Sequence, residues 1–450
     1  MRNPVIAALV SSAFVSLSLP LQAQAADLLQ IYKEALSNDP VYASARAAMV
    51  AGEEKVAQGR SGLLPQVAVS GSYFENGLSE TPSMPEPNVG YTSFSAHYPQ
   101  STYTVQLTQP LFRMANWQQY QIGILSAAST EAQFAQARED LMLRVAQAYF
   151  DVLTAQDTLT SIQANKVAIT EQLASAKRNF EVGTTTITDS NEAQSRYDLA
   201  VAQELAAQND LEIKRTALEQ IIGKAPADLA PLRAGVKLAL PEPAQMDKWV
   251  DGAEHENFTV VGQQINVEIA HRTVKMNRAG HYPTADFVAQ RQHTNQGGDN
   301  ILYPPGIANQ TAVGVQWNVP IFAGFMTDSK VKESVALEDK ARQDLESARR
   351  TAAQSARQSY LGVSSGLAQV AAYEAAEVSS QTSLASNQLG YQVGIRINID
   401  VLNAQQQLYN TRQTLAKARY DTIVNGLRLK SAAGSLKEDD LVAVNGLLAH

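Results

Sequence analysis

An internal duplication is the feature of this sequence that most constrains its fold. Three short stretches recur in the same order further along the chain, which is hard to obtain by chance. We therefore predict two structural repeats, 26–240 and 241–450, each folding as one unit. The matching stretches are 64–67 with 282–285, 105–112 with 315–322 and 180–183 with 391–394.

Each repeat carries two segments in which apolar and small polar side chains alternate. The clearest are 103–112 and 313–319, and the same pattern recurs at 66–73 and, more weakly, at 287–293. Such alternation predicts four β-strands of about ten residues each. Strands with a polar face suit both an ordinary β-sandwich and the wall of a membrane β-barrel.

The rest of each repeat has the pattern of helices. Residues 114–182 contain no proline and only Gly123 as a helix breaker, so they predict one helix of about 100 Å. Residues 326–391 repeat this pattern, and shorter return helices follow, ending near Gly223 and Gly434. A helix of this length cannot bury itself in one compact domain and must pack against neighbouring helices.

The two repeats differ in the connection between their strands. The stretch from 64 to 105 in the first repeat is longer than the matching stretch from 282 to 315 in the second. The first repeat therefore has the longer connection. The segment between Tyr73 and Ser101 is rich in proline, and we predict that it is an exposed loop.

The first 25 residues have the three parts of a secretory signal peptide. Arg2 supplies a positive charge, residues 5–19 are apolar, and residues 23–25 (AQA) offer a small-residue cleavage site. A membrane anchor is the alternative, but the apolar run is short and ends at Pro20. No later segment approaches 18 consecutive apolar residues, so we predict an exported chain without a transmembrane helix.

Four strands are too few to close a membrane β-barrel, since the smallest bacterial barrels have eight. Left open in lipid, the sheet would expose unpaired backbone groups at both edges. Two copies of the chain would supply eight strands, but a barrel of that size is filled by its own side chains. A conducting pore therefore needs at least three copies.

These features resemble the TolC family of outer-membrane ducts for type I secretion and multidrug efflux. The most specific stretches are 180–194, 315–322 and 391–434. The resemblance implies an α+β membrane protein, in which a homotrimer completes a twelve-stranded outer-membrane barrel that continues as a long α-helical barrel in the periplasm. It also implies an exit duct for proteins or small toxic molecules, which works with a periplasmic adaptor and an inner-membrane ABC or other pump.

The resemblance further implies a gate, held shut by contacts between the helix pairs that meet at two Val-Gly turns. Asp189 would pair with Arg396 and accept a hydrogen bond from Tyr391, next to Thr188. The turn residues, which the family uses for adaptor docking, are Val182, Gly183, Thr184, Val393 and Gly394.

A second tether and a constriction complete the residues that the resemblance assigns. Arg419 and Gln172 match the tether, but Gln388 replaces its acidic member. Asp400 matches the first of two acidic rings at the constriction, whereas Asn403 stands in place of the second acid. We therefore expect weaker closure at the tether and only modest capture of cations.

Five aromatic residues lie near the predicted inner ends of the strands. They suit the belt where a barrel meets outer-membrane lipid, with packing in a protein core as the alternative. They are Phe112, Trp117, Trp317, Phe322 and Phe325.

Composition narrows the remaining function classes. The net charge of −8 argues against a nucleic-acid surface, and the absence of cysteine excludes thiol catalysis and thiolate metal sites. The histidines show no metal-ligand spacing, so we expect neither a cofactor nor enzymatic activity. A surface-anchored coiled-coil adhesin or structural protein is the alternative, although an adhesin usually concentrates its strands at one end.

Overall fold

The structure, a computed structural model of a single chain, describes residues 25–80, 94–298 and 305–449. The predicted signal peptide therefore lies, except for its last residue, outside the described residues. The first half of the chain contains α1 (Leu28–Asn38), α2 (Pro40–Ser61), β1 (Gln66–Glu80), β2 (Phe94–Phe112), α3 (Met114–Glu181) and α4 (Ile187–Ile222).

The second half repeats this order of two helices, two strands, a long helix and a return helix. Its elements are α5 (Met246–Glu256), α6 (Phe258–Arg278), a 3₁₀ turn (Ala279–His281), β3 (Thr284–Gln296), β4 (Gly306–Asn318), α7 (Met326–Gln392), α8 (Asn398–Ala432) and α9 (Glu438–Asn445). The predicted element order is confirmed.

The two long helices, α3 and α7, have 68 and 67 residues. At 1.5 Å per residue each is about 100 Å long, as predicted. α3 contacts α2 and α4 as well as α6 and α8, and α7 contacts α6 and α8. The helices therefore form a layer in the order α2 with α4, then α3, then α6 with α8, then α7.

The strands form one antiparallel sheet in the order β1-β2-β3-β4. They have 15, 19, 13 and 13 residues and are longer than the ten predicted. The predicted loop between Tyr73 and Ser101 is wrong for residues 74–80 and 94–100, which pair with each other, and its residues 81–93 lie outside the described residues. Pro99 misled the prediction, since it lies beyond the last pair of β2 with β3, where a missing N–H is tolerated.

The main hydrophobic core lies where α1 and the C-terminal part of α8 pack on the middle of α3. The Tyr149 hydroxyl donates to the carbonyl oxygens of Ala26 at 3.2 Å and Ala230 at 2.8 Å, which fixes both chain segments to α3. The rings of Phe150 and Tyr420 stack at 5.5 Å between α3 and α8. This core holds the two repeats together near the middle of α3.

None of the helices among the described residues combines the length and the apolar character that a membrane span requires.

Candidate functional site

Both long helices end in the same glycine turn. After α3, the N–H of Gly183 donates to the carbonyl of Phe180 at 2.9 Å, and the N–H of Thr184 donates to that of Asn179 at 2.9 Å. The same two bonds recur after α7, from Gly394 to Tyr391 at 3.1 Å and from Ile395 to Gly390 at 2.9 Å. These bond pairs define Schellman motifs, which require a left-handed residue.

Glycine is needed at both turns because its φ angle is +77° in Gly183 and +80° in Gly394. Among the described residues, no atom lies within 4 Å of the place where a Cβ would sit at either glycine. Backbone conformation and not crowding therefore selects glycine here. The turns also expose apolar side chains, since Val182 is 73% exposed and Ile395 79%. Ile395 was not among the predicted docking residues.

The residues of the predicted latch lie just after these turns. Asp189 is the third residue of α4, and its Oδ2 accepts a hydrogen bond from the Thr186 hydroxyl at 3.4 Å. Thr188, immediately before it, is exposed. Arg396 pairs with Asp400 at 3.5 Å, and among the described residues no ion pair joins Arg396 to Asp189.

The Tyr391 hydroxyl is buried and has no hydrogen-bond partner among the described residues of the chain. A buried hydroxyl without a partner costs about 1–3 kcal/mol, so this group is ready to accept or donate a bond once another group approaches. It lies at the end of α7, shortly before the start of α8.

A buried asparagine that the sequence analysis missed joins two predicted residues. Asn398, the first residue of α8, is 1% exposed. Its carbonyl oxygen accepts from the Gln172 amide, and its own amide donates to the backbone oxygen of Asp189 at 3.4 Å. Asn398 therefore links α3, α4 and α8 at the start of the return helices.

The predicted tether has an acidic partner that the sequence analysis did not find. Arg419 on α8 pairs with Glu374 on α7 at 2.7 Å, while Gln388 is exposed further along α7. A second arginine of α8, Arg412, pairs with Glu377 at 2.9 Å. The α7–α8 pair thus keeps two ion pairs, although position 388 lacks a carboxylate.

A basic residue lies beside the predicted constriction. The Arg196 guanidinium donates to the Oδ1 of Asn403 at 3.0 Å and contacts Glu192 on its own helix at 3.4 Å. Glu192 and Asn403 are separated by the same interval as the two turn glycines, so they hold matching positions in α4 and α8. Arg196 therefore bridges the two repeats with a positive charge that the sequence analysis did not anticipate.

Two carboxyl groups on α3 lie near the main core, and Glu139 is buried whereas Asp157 is half-buried. Glu139 accepts hydrogen bonds from the Ser431 hydroxyl at 3.1 Å and from the N–H of Leu436 at 3.2 Å. Burial raises its pKa to about 7 despite these bonds. Asp157 accepts from the Tyr420 hydroxyl at 2.7 Å, and burial again raises the pKa of the carboxyl. Both groups connect α3 to α8 or to the segment after it.

Metal binding finds no support in residues 25–80, 94–298 and 305–449, where no three or more acidic, histidine or cysteine side chains are placed to hold an ion. The candidate site consists of helix ends, ion pairs and exposed turns. Such a site can form and break noncovalent contacts.

Comparison with known sequences places this arrangement among outer-membrane proteins. The profile of the outer membrane efflux protein family matches residues 31–224 and 249–435. Outer membrane protein TolC of Escherichia coli (strain K12) is 33% identical, over 99% of this chain and 89% of that protein. Alkaline protease secretion protein AprF of Pseudomonas aeruginosa is 32% identical, over 93% of this chain and 86% of that protein.

Solved structures share the fold at lower identity. The outer membrane protein VceC from Vibrio cholerae has a TM-score of 0.75 at 17% identity, over 90% of this chain and 96% of that chain. The CmeC outer membrane channel of Campylobacter jejuni has a TM-score of 0.77 at 15% identity, over 100% of this chain and 98% of that chain. The long helices and the four-stranded sheet are thus the fold of these channels.

Proposed function

Since the chain belongs to the outer membrane efflux protein family, we propose that three copies of it form one continuous duct, gated at the helix ends. The protein is an outer-membrane exit channel for efflux or type I secretion, and not an enzyme. The adhesin alternative is set aside for the same reason. What we propose beyond this is that the chain forms a trimer, that the duct has a gate, and that it works with the partners described below.

The observation that carries the trimer is the pair of open edges of the sheet. β1 and β4 lie at opposite ends of the strand order, and each strand pairs on one side only within the described chain. In lipid an unpaired strand edge is not tolerated, so the edges require further strands. Twelve strands from three copies close a barrel that is wide enough to conduct, whereas eight do not.

The gate that we propose lies at the start of the return helices. In a closed trimer, Arg396 and Tyr391 engage Asp189, with Thr188 beside it. Gln172 lies close to this latch because it contacts Asn398, whereas Arg419 and Glu374 join α8 to α7 further from the turns than Gln388. The partnerless hydroxyl of Tyr391 and the exposed Arg396, which pairs only with the nearby Asp400 in the described chain, support this proposal. Asp400 and Asn403 would then line the narrowest part of the duct.

The partners that we propose are a periplasmic adaptor and an inner-membrane pump. The exposed turns, residues 182–184 and 393–395, offer the adaptor exposed apolar side chains. Proteins and small molecules are both suitable cargo, because AprF is named for protease secretion and the family for efflux.

A bilayer experiment tests the proposed duct. One portion of the detergent-purified protein is cross-linked with an amine-reactive reagent, and a second portion, without cross-linking, is reconstituted into planar bilayers. We expect a cross-linked trimer and small, mostly closed conductance, which disappears when the sample is dissociated into monomers by heat. A monomer in detergent, or conductance that persists after dissociation, would contradict the proposal.

A further inference from the structure

The open edges of the sheet present long, exposed strands. Every residue of β4 is exposed, including Val315 at 58% and Trp317 at 73%. On β1 the apolar residues Val69 and Tyr73 are 74% and 64% exposed. Long exposed edges of this kind are templates for pairing with another strand.

The duplication relates the strands in space as well as in sequence. In the first hairpin Gln66 faces Thr108, and in the second Thr284 faces Asn318. Position 66 matches 284 and position 108 matches 318 in the sequence alignment of the two repeats, so residues that match in sequence also face matching partners. The two hairpins have the same register, and each strand of one hairpin has a defined equivalent in the other.

The pairing between the two hairpins can be transferred to the open edges. Within the chain β2 pairs with β3, and Val105 faces Arg291. The equivalent of Val105 is Val315 on β4, because the stretches that begin at these two residues match. The equivalent of Arg291 is Tyr73 on β1, as counting along both strands from the match of 66 with 284 shows. Transferring this pair gives an antiparallel contact between β4 of one copy and β1 of the next.

We propose that neighbouring copies join in this single register, with Val315 opposite Tyr73 and Trp317 opposite Gly71. The proposal rests on the trimeric duct and specifies the surface through which the copies join. The occupant of each open edge is thus a second copy of this chain.

The side chains support this register independently of the duplication. Residues that face each other lie on the same side of the sheet, so the register aligns the apolar side of β4 with the apolar side of β1. A slip by one residue in either direction would place Trp317 beside a polar serine, Ser70 or Ser72.

A slip by two residues would keep every side chain on the same side of the sheet, so another feature must favour the proposed register. Gly71 is that feature. A Cβ at Gly71 would meet the Tyr103 ring of the neighbouring strand at 3.2 Å, so an aromatic ring already covers this glycine from β2. In the proposed register Trp317 approaches it from the other side. A glycine flanked by large aromatic rings is a known stabilising arrangement in sheets, and the slipped registers lose it.

The join between copies lacks an ion pair that the equivalent join within the chain possesses. Next to the β2–β3 pairing, Arg113 binds Asp286 through two bonds, and Asp286 is buried. The equivalent of Asp286 on β1 is Ala68, and residues 323–325, which follow β4, are AGF. At the positions that match Asp286 and Arg113, the copies are therefore held together by backbone hydrogen bonds and apolar packing.

Cysteine cross-linking tests the register, and the chain is suited to it because it contains no cysteine. Residues directly opposite in an antiparallel pair have Cα atoms about 4.5–5.5 Å apart, which a disulfide can bridge, whereas diagonal neighbours are about 7–8 Å apart. The test variant carries Tyr73→Cys with Val315→Cys. The slipped variants carry Gly71→Cys or Glu75→Cys with Val315→Cys.

A matched control uses the equivalent pair within the chain, Val105→Cys with Arg291→Cys. After oxidation of each protein in detergent, non-reducing gels separate linked copies from single chains. We expect covalent trimer at highest yield for the 73/315 variant, low yield for both slipped variants, and a linked but still monomeric band for the control. A second matched pair, Glu75→Cys with Val313→Cys, repeats the test on the next aligned position.

Two failures can be distinguished. If a slipped pair gives the highest yield, or if neither aligned pair links while the amine-reactive reagent still captures a trimer, the register is wrong and the duct stands. If the amine-reactive reagent captures no trimer from the cysteine-free protein, the proposed duct fails together with the register.

Discussion

Asp189 and Asp400 occupy the same place in the two halves of the chain, the third residue of a return helix. A carboxylate in the first turn is favoured there by the free N–H groups of the helix end. Their partners differ: Asp189 accepts a hydrogen bond from the Thr186 hydroxyl, whereas Asp400 forms an ion pair with Arg396. The duplication has thus supplied one acid for the proposed latch and its equivalent for the proposed constriction.

The glycine turns are expected to be essential for export and dispensable for assembly. Replacing Gly183 or Gly394 by valine places a branched side chain at a positive φ angle, at a cost of about 1–2 kcal/mol, and reshapes the docking surface. We expect export of cargo to fall strongly while the amount of trimer in the membrane stays normal.

Gly262 on α6 provides the matched control for these turns. It is helical, and among the described residues no atom lies within 4 Å of its Cβ position, so Gly262→Ala should leave export unchanged. Export assays and trimer blots of all three variants decide the question. Unchanged export in the Gly183 and Gly394 variants would remove the turns from the docking site.

The proposed latch predicts a more open pore when it is removed. An exposed ion pair contributes about 0–1 kcal/mol and a hydrogen bond about 1 kcal/mol, so three copies together hold the gate with a few kcal/mol. Arg396→Ser combined with Tyr391→Phe should therefore raise single-channel conductance in bilayers.

Arg350→Ser is the control for the latch, because Arg350 is an exposed residue of α7 that pairs with Glu346 one turn away. It should leave conductance unchanged. If the double variant at 396 and 391 behaves like this control, the gate is held by other contacts.

The sequence predicted the architecture better than it predicted the contacts. The positions of Gly183 and Gly394 follow from the repeated Val-Gly stretch, because a left-handed turn leaves a local signature. The contacts of Glu374 with Arg419 and of Arg196 with Asn403 have no such local signature. Each contact joins residues that are far apart in sequence and depends on how two helices are rotated against each other. The predicted loop after Tyr73 was wrong at Pro99 because a proline is compatible with a strand where its missing N–H faces no partner strand, and the sequence does not show which edge it faces.

The buried Glu139 predicts a pH dependence of stability. Its pKa is raised to about 7 from an ordinary value of 4.5, so the protonated form favours the folded state. The contribution of the protonated Glu139 carboxyl to the free energy of unfolding is fully present below about pH 4.5 and is lost as the pH rises through 7. Glu139→Gln, which resembles the neutral form, should raise the thermal unfolding midpoint at pH 8 and have little effect near pH 5.

Glu131→Gln provides the comparison, since Glu131 and Glu139 line one cavity beside α3 but Glu131 is exposed. Circular dichroism melts of both variants in detergent at the two pH values measure the effect. An equal change at pH 5 and pH 8 for Glu139→Gln would show that the Glu139 carboxyl does not titrate between them.

The last prediction concerns ion selectivity at the proposed constriction. Threefold symmetry would place three Asp400 carboxylates around one opening, and a ring of like negative charge favours cations. Sequence alone suggests that Asn403→Asp would strengthen this preference by adding a second ring. Arg196 changes the expectation, because its guanidinium lies 3.0 Å from the Asn403 oxygen and would neutralise a new carboxylate there.

Four variants separate these contributions. Asp400→Asn should lower cation preference, and Arg196→Gln should raise it, each by an interaction of about 1 kcal/mol or roughly fivefold in relative permeability. Asn403→Asp should have a small effect alone and a larger one combined with Arg196→Gln, since the carboxylate is then unpaired. Reversal potentials in a salt gradient and block by multivalent cations measure both properties. If Asp400→Asn changes neither, Asp400 is not at the constriction, and additive effects at 196 and 403 would mean that the two residues do not interact in the trimer.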